Sequence, residues 1–136
     1  MVANMTYDEA RLAIILRAQA FTHTDFSQSR IKYPNAPQFQ VPPTGLWSDI
    51  NILWGQSFVA GLADTPCTRR TGVVSINCYA RPDTHEVKIT QLTEAWLKHF
   101  EYYSTQKLEL LNGQIQNLGS NGDFLQYNVA IGFRVN

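Results

Sequence analysis

Charge is scarce in this sequence. Asp, Glu, Lys and Arg make up 16% of the residues, against about 25% in a typical soluble domain. The 11 acidic residues balance the 11 basic ones, so the formal net charge is zero. A protein that grips nucleic acid by its phosphates usually carries a basic excess, and none exists here. A neutral surface favours association over repulsion. Cysteine is nearly absent as well, with only Cys67 and Cys78. On one extended strand they would lie roughly 36 Å apart at about 3.3 Å per residue, whereas a disulfide needs Cα atoms within about 7 Å. Two reduced thiols are therefore expected, as in a cytoplasmic product. No apolar run approaches the roughly 20 residues of a membrane span. Met1 to Thr6 has no basic start followed by an apolar stretch, so no signal peptide is expected.

The motifs of common chemistries are missing too. His23, His85 and His99 are far apart, and no His-x-x-x-His or Cys-x-x-Cys pair supplies a zinc spacing. His23-Thr24-Asp25 offers two ligands at most and reads as a polar loop. There is no Gly-x-Ser-x-Gly elbow, Walker loop or Gly-x-Gly-x-x-Gly. Gly119-Ser120-Asn121-Gly122 has the composition of a phosphate loop, but a strand pattern follows it where a helix N-terminus would be needed. Cys78 falls on the apolar side of a strand pattern and reads as a core residue. Cys67, beside Arg69 and Arg70, is the better candidate for a lowered pKa, but no His lies nearby and it reads as a loop thiol. Asp49, Asp64, Asp83, Glu86 and Asp123 form no pair recognisable by spacing. No catalytic, metal or cofactor site is expected.

What the chain does have is apolar patterning. Its 136 residues, 44% of them hydrophobic, suit one domain over residues 1–136 with a core that needs no metal or disulfide. Thr6-Tyr7-Asp8-Glu9 reads as a capping box. It opens a helix ending near Phe21, on which Ala10, Ala13, Ile14 and Arg17 follow helical spacing. Leu12, Ile15 and Leu16 widen the apolar face, which predicts burial on more than one side. A polar, proline-bearing stretch follows, with a short extended piece at Arg30 to Tyr33. Trp47 to Phe58 and Val73 to Ala80 alternate as strands. Asp83 to Glu86 repeats the capping pattern before a helix with the stripe Ile89, Leu92, Trp96, Phe100 and Tyr103, its Lys88, Glu94, Lys98 and Glu101 side in water. Period two then returns. Asn112-Gly113 marks a turn or bulge, Gly119 to Asp123 a loop, and Tyr127 to Val135 a clean final strand. The order predicts an α+β domain, a mostly antiparallel β-sheet with two α-helices packed on one face.

Several residues stand out as contact candidates. Trp47, at the start of its strand, is expected to be exposed and available to a partner. The loop over residues 59 to 70 is long for a hairpin connection and is expected to reach a neighbouring subunit or the assembly on which the subunits sit. Trp47, Asp64, Arg69 and Arg70 are thus the candidate interface. Arg69-Arg70 with Tyr79 and Arg81 has the ingredients of a single-strand binding face, but at zero net charge it reads as a solvated strand end.

The central block resembles the tail terminator proteins of long-tailed bacteriophages, the lambda-type terminator among them. The residues that carry the likeness are Tyr33-Pro34-Asn35, Phe39, Pro42-Pro43, Trp47 with its strand, Arg70-Thr71-Gly72-Val73-Val74-Ser75-Ile76-Asn77-Cys78-Tyr79 and the helix from Leu92 to Phe100. The N-terminal helix and closing strand fall in matching order. Family members often have a glycine-containing turn before the second helix, where this chain has Arg81-Pro82-Asp83-Thr84. The resemblance implies a non-enzymatic, ring-forming subunit. Its homo-hexamer would cap the tube of the major tail tube protein, stop elongation and present a docking surface to the head–tail connector. DNA would be only a passenger through the lumen, no membrane would be involved, and the location would be the head-proximal end of the virion tail, after synthesis in the host cytoplasm. Two alternatives stay open: another tail or neck component, such as a tail-completion or tube protein, and a small cytoplasmic enzyme or ligand-binding protein.

Overall fold

The computed structural model describes residues 5–24, 26–34, 39–55, 58–59, 68–81 and 86–135. Helix α1 covers Tyr7–Gln19 and α2 covers Glu86–Phe100. The strands are β1 (Ile31–Lys32), β2 (Leu46–Trp54), β3 (Phe58–Val59), β4 (Thr68–Ala80), β5 (Ser104–Thr105), β6 (Leu108–Asn121) and β7 (Phe124–Val135). They form one sheet in the order β1-β2-β4-β7-β6-β5, with β3 paired to the start of β4. All neighbours are antiparallel except β1 and β2, which run parallel. The fold is α+β, as the alternation of patterns predicts.

The expected capping box is formed. The Thr6 hydroxyl accepts from the Glu9 amide at 3.1 Å, and the Glu9 carboxylate accepts from the Thr6 amide at 3.1 Å. Such a cap contributes about 1 kcal/mol. The cap proposed at Asp83 lies outside the described residues. Helix α2 buries four of the five residues of its predicted stripe, Ile89, Leu92, Trp96 and Phe100, which are inaccessible to solvent; the fifth, Tyr103, falls beyond the helix end at Phe100 and is half-buried. The four meet Val74, Ile76 and Cys78 of β4 and Val129, Ile131 and Phe133 of β7 in one core, to which α1 adds Ala10, Ile14 and Ala18. Both helices therefore serve one face of the sheet. The helices are also tied to each other. Arg17 Nε donates to the His99 carbonyl at 2.9 Å, and His99 Nε2 donates to the Arg17 carbonyl at 2.6 Å. Phe21 stacks on Trp96 at 3.8 Å between ring centres.

Three expectations need correction. Helix α1 is buried along one narrow stripe: Leu12 is 47% and Leu16 54% exposed. The small side chains of Ala10 and Ala18 seat the helix, and among the described residues nothing covers its far side. The strand expected over Trp47 to Phe58 is interrupted at Gly55, whose N–H donates to the Thr71 carbonyl at 2.8 Å; Phe58 and Val59 pair separately, with Arg69 and Thr68. The loop expected over Gly119 to Asp123 is a tight hairpin. Strand β6 runs to Asn121, which pairs with Phe124, so the turn is only Gly122-Asp123, with Gly122 at φ 65°. The Asn112-Gly113 signal marks a β-bulge, seen as a register shift between Leu110 and Gly113. Among the described residues, no helix is long and apolar enough to cross a membrane.

Candidate functional site

The face of the sheet opposite the helices is built by the same alternation that builds the core. In β4, Val74, Ile76 and Cys78 point inward, so Ser75, Asn77 and Tyr79 point outward. Register places Asp49 of β2 opposite Asn77, and Asn77 opposite Asn128 of β7. Those side chains meet. The Asn77 carboxamide donates to Asp49 Oδ1 at 2.9 Å, and the Tyr79 hydroxyl donates to Asp49 Oδ2 at 3.1 Å. Asn128 donates to Asn77 Oδ1 at 2.9 Å and to Ser75 Oγ at 3.0 Å, and Gln126 donates to Asn77 Oδ1 at 3.1 Å. The network spans three strands and is half-buried. Each such bond adds about 0.5–1.5 kcal/mol net. Burial raises the Tyr79 pKa, and the Asp49 charge raises it further, so this phenol stays a donor.

Charged groups lie towards the margins of this face: Lys32 of β1 is exposed beside Asp49, and Arg69 points outward by parity. Glu109 and Arg134 are cross-strand partners and form an ion pair at 2.7 Å. At the hairpin end the network gives way to aromatics. Trp47 stacks on Tyr79 at 4.1 Å, Phe39 lies 5.4 Å from Trp47, and Phe124 meets it edge-on at 5.7 Å. The Arg81 guanidinium sits 4.7 Å above Phe124, and Arg81 Nε donates to the Pro42 carbonyl at 3.2 Å.

This geometry overturns the expected exposure of Trp47, which is only 8% accessible. The expectation rests on its place at the start of the strand; the cover supplied by Phe39, Tyr79 and Phe124 comes from distant parts of the chain. The Trp47 indole Nε1 is buried and has no hydrogen-bond partner among the described residues. Arg69 and Arg70, as strand neighbours, point to opposite faces. Arg70 is on the helix side, 4.7 Å above the Tyr7 ring of α1. Arg70 and Tyr79 lie nine positions apart along β4, roughly 30 Å, so the Arg69, Arg70, Tyr79 and Arg81 set does not converge. Asp64 and Cys67 lie outside the described residues. From the sequence, Asp49 stands out only as a carboxylate without a partner recognisable by spacing, and Asn77, Gln126 and Asn128 are not singled out. Their one signal was that they are the polar members of three alternating strands.

Cys78 is fully buried, and burial pushes its thiol up to about 12. Ser48 donates to its Sγ at 3.5 Å and accepts from Trp96 Nε1 at 3.2 Å. Among the described residues, no three His, Cys, Asp or Glu side chains cluster closely enough to hold a metal ion.

No protein-family model matches the sequence, and no curated protein matches it. A solved structure whose name states no activity superimposes at a TM-score of 0.70 over 97% of this chain and 96% of its own, with 13% sequence identity. At that identity the likeness establishes the fold alone. Fold and site together define an α+β domain with one helix-covered sheet face and one open, amide-rich face.

Proposed function

We propose that this chain is a structural virion protein, a phage tail terminator. As a hexameric ring it caps the tail tube, stops elongation and offers the head connector a docking surface. The observation that carries the reading is the centre of the sheet's outer face, where Asn, Gln, Ser, Tyr79 and the Asp49 carboxylate bond mainly to each other, with the charged Lys32, Arg69 and the Glu109–Arg134 pair towards its margins. Duplex DNA carries one negative charge per roughly 1.7 Å, and proteins that hold it present Lys and Arg to those charges. A face of mutually satisfied amides beside a neutralised Glu109–Arg134 pair suits a lumen through which DNA slides without being held. The order of elements and the resemblance of the Tyr33 to Tyr79 block support the same assignment, with the tube protein and the connector as partners.

The test is genetic and morphological. Phage lacking this protein should make tails of abnormal length, or tails unable to join heads, and adding the purified protein should restore joining. Tails of normal length that join heads in its absence would refute the proposal. Polymerisation of the pure protein into open tubes would instead mark a tube subunit.

A further inference from the structure

Among the described residues, both borders of the sheet carry unpaired backbone. On the β6 side, β5 pairs only with Leu108 and Glu109, and the last backbone–backbone bond on that side among the described residues is from the Tyr102 amide to the Leu111 carbonyl at 3.2 Å. On the β2 side, β1 pairs only with Ser48 and Asp49. Pro34, which has no N–H, follows soon after β1. Among the described residues, nothing pairs with residues 114–118 of β6 or 51–54 of β2 on their outer sides. Neither stretch contains a charged residue or a proline, the usual devices that keep an edge from recruiting another strand. Ile115 and Leu118 on one border and Leu53 and Trp54 on the other are exposed.

The directions of the backbone groups define how a strand would add. Gly55 donates inward to Thr71, so in β2 the odd residues bond β4, and Ile52 and Trp54 point their N–H and C=O groups off the edge. Continued across β4 and β7, the same parity makes Gln114 and Gln116 bond β7, leaving Gly113, Ile115 and Asn117 pointing outward. The Gly113 N–H does point outward, donating to Glu101 Oε2 at 2.9 Å. Strands β2 and β6 run in opposite senses within the sheet. A copy rotated about an axis along the strands therefore presents β2 antiparallel to β6 with its helices on the same side.

We infer that the sheet continues from one copy of this chain into the next. Residues 113–116 of β6 pair antiparallel with residues 51–54 of β2 in the neighbouring copy, Ile115 opposite Ile52 and Gln116 opposite Asn51. This register joins outward-pointing backbone to outward-pointing backbone. It sets Ile115 against Ile52 on the helix side and amide against amide on the open face, and it puts Gly113 where Trp54 needs room. A hollow of about 410 Å³ between Tyr33, Pro34, Ile15, Ile52 and Trp54 gives the incoming strand space in line with β1. The Asn51 carboxamide, which accepts from the Ile52 amide at 3.1 Å, releases it and turns to Gln116, and the Gly113 N–H exchanges Glu101 for the Trp54 carbonyl. The contact is heterologous, so it closes into a ring at the right rotation. The inference deepens the proposed terminator ring and rests on it.

The test is disulfide trapping in the full chain with Cys67→Ser. Directly opposed residues lie about 5.5 Å apart at most between Cα atoms, within reach of a disulfide. At millimolar concentration under mild oxidation, Gln116→Cys mixed with Asn51→Cys should give covalent dimers. The double variant should give a ladder of higher multimers, and each single variant alone should stay unlinked. Dimers from Gln116→Cys alone would mean that two β6 edges pair with each other, and would overturn the inference. So would a folded chain, by circular dichroism, that links in no combination. Tail length and head joining, scored separately with the unmodified protein, decide the terminator reading whichever way the trapping falls.

Discussion

Two glycines on neighbouring strands should respond to the same substitution with opposite signs. Gly72 of β4 faces the core. A Cβ added there would lie 2.5 Å from Phe133 Cζ and 2.6 Å from the Leu53 carbonyl oxygen. Phe133 is only 1% accessible and is wedged edge-on against Trp54, with 5.3 Å between ring centres, so the ring has nowhere to go. The Leu53 oxygen belongs to the paired strand and moves only with the ladder. Overpacking of this kind costs about 1–3 kcal/mol. It is offset by about 0.4–1 kcal/mol from the reduced freedom of the unfolded chain. Gly72→Ala should therefore destabilise by about 1–2 kcal/mol, lowering Tm by about 3–8 °C for a domain of this size. Gly132 sits one position along β7, on the open face, and a Cβ there meets nothing within 4 Å. Gly132→Ala keeps only the unfolded-state benefit and should raise Tm by about 1–4 °C. Urea unfolding with both variants side by side measures the two effects. Equal losses in the two variants, or no loss at Gly72, would refute the steric argument.

Removing the buried hydroxyl in Ser48→Ala leaves the Trp96 indole N–H without its acceptor and should cost about 1–3 kcal/mol, read as a lower urea midpoint at unchanged slope. Burial lowers the pKa of His99 from its ordinary 6.5. Its contribution to stability is therefore complete above pH 6.5 and is lost as pH falls through the lowered folded value, by at most about 1.4 kcal/mol per pH unit. His99→Gln should flatten stability-versus-pH curves below 6.5, and an unchanged slope would remove His99 from the account. The Cys78 thiol should ignore a thiol-specific disulfide reagent in the native Cys67→Ser protein and react fully in urea; rapid native reaction would contradict its burial.

Much of the core was legible because it depends on local periodicity. The alternation from Tyr127 to Val135, the stripe from Ile89 to Phe100 and the box at Thr6 to Glu9 each state their own geometry within one element. What stayed illegible depends on long-range placement. Leu12 and Leu16 look like a second buried face until α1 is seen to meet its neighbours along one stripe. The Arg17–His99 clasp joins residues 82 positions apart. Trp47 is expected to be exposed because it opens its strand, and only the approach of Phe39, Tyr79 and Phe124 reveals that it is covered. The Asp49–Asn77–Asn128 network was visible as polar positions, but which of them bond one another follows from register, and register is a property of strand pairs.

The bulges of β6 have a consequence for how such a chain can vary. Between Leu110 and Gly113, and again between Asn117 and Gly119, β6 carries one residue more than β7. Before the first shift even-numbered residues face the helices, as Leu108 and Leu110 do; between the shifts odd-numbered ones do; after the second, parity reverts. Losing one residue within 111–112, or losing residue 118, would straighten the ladder and leave every other residue with its partner and its face. Losing one elsewhere in the strand would turn a whole segment over. Kindred chains should therefore differ in length by one residue at these two places in β6, and an alignment that puts a gap between them should be moved to a bulge.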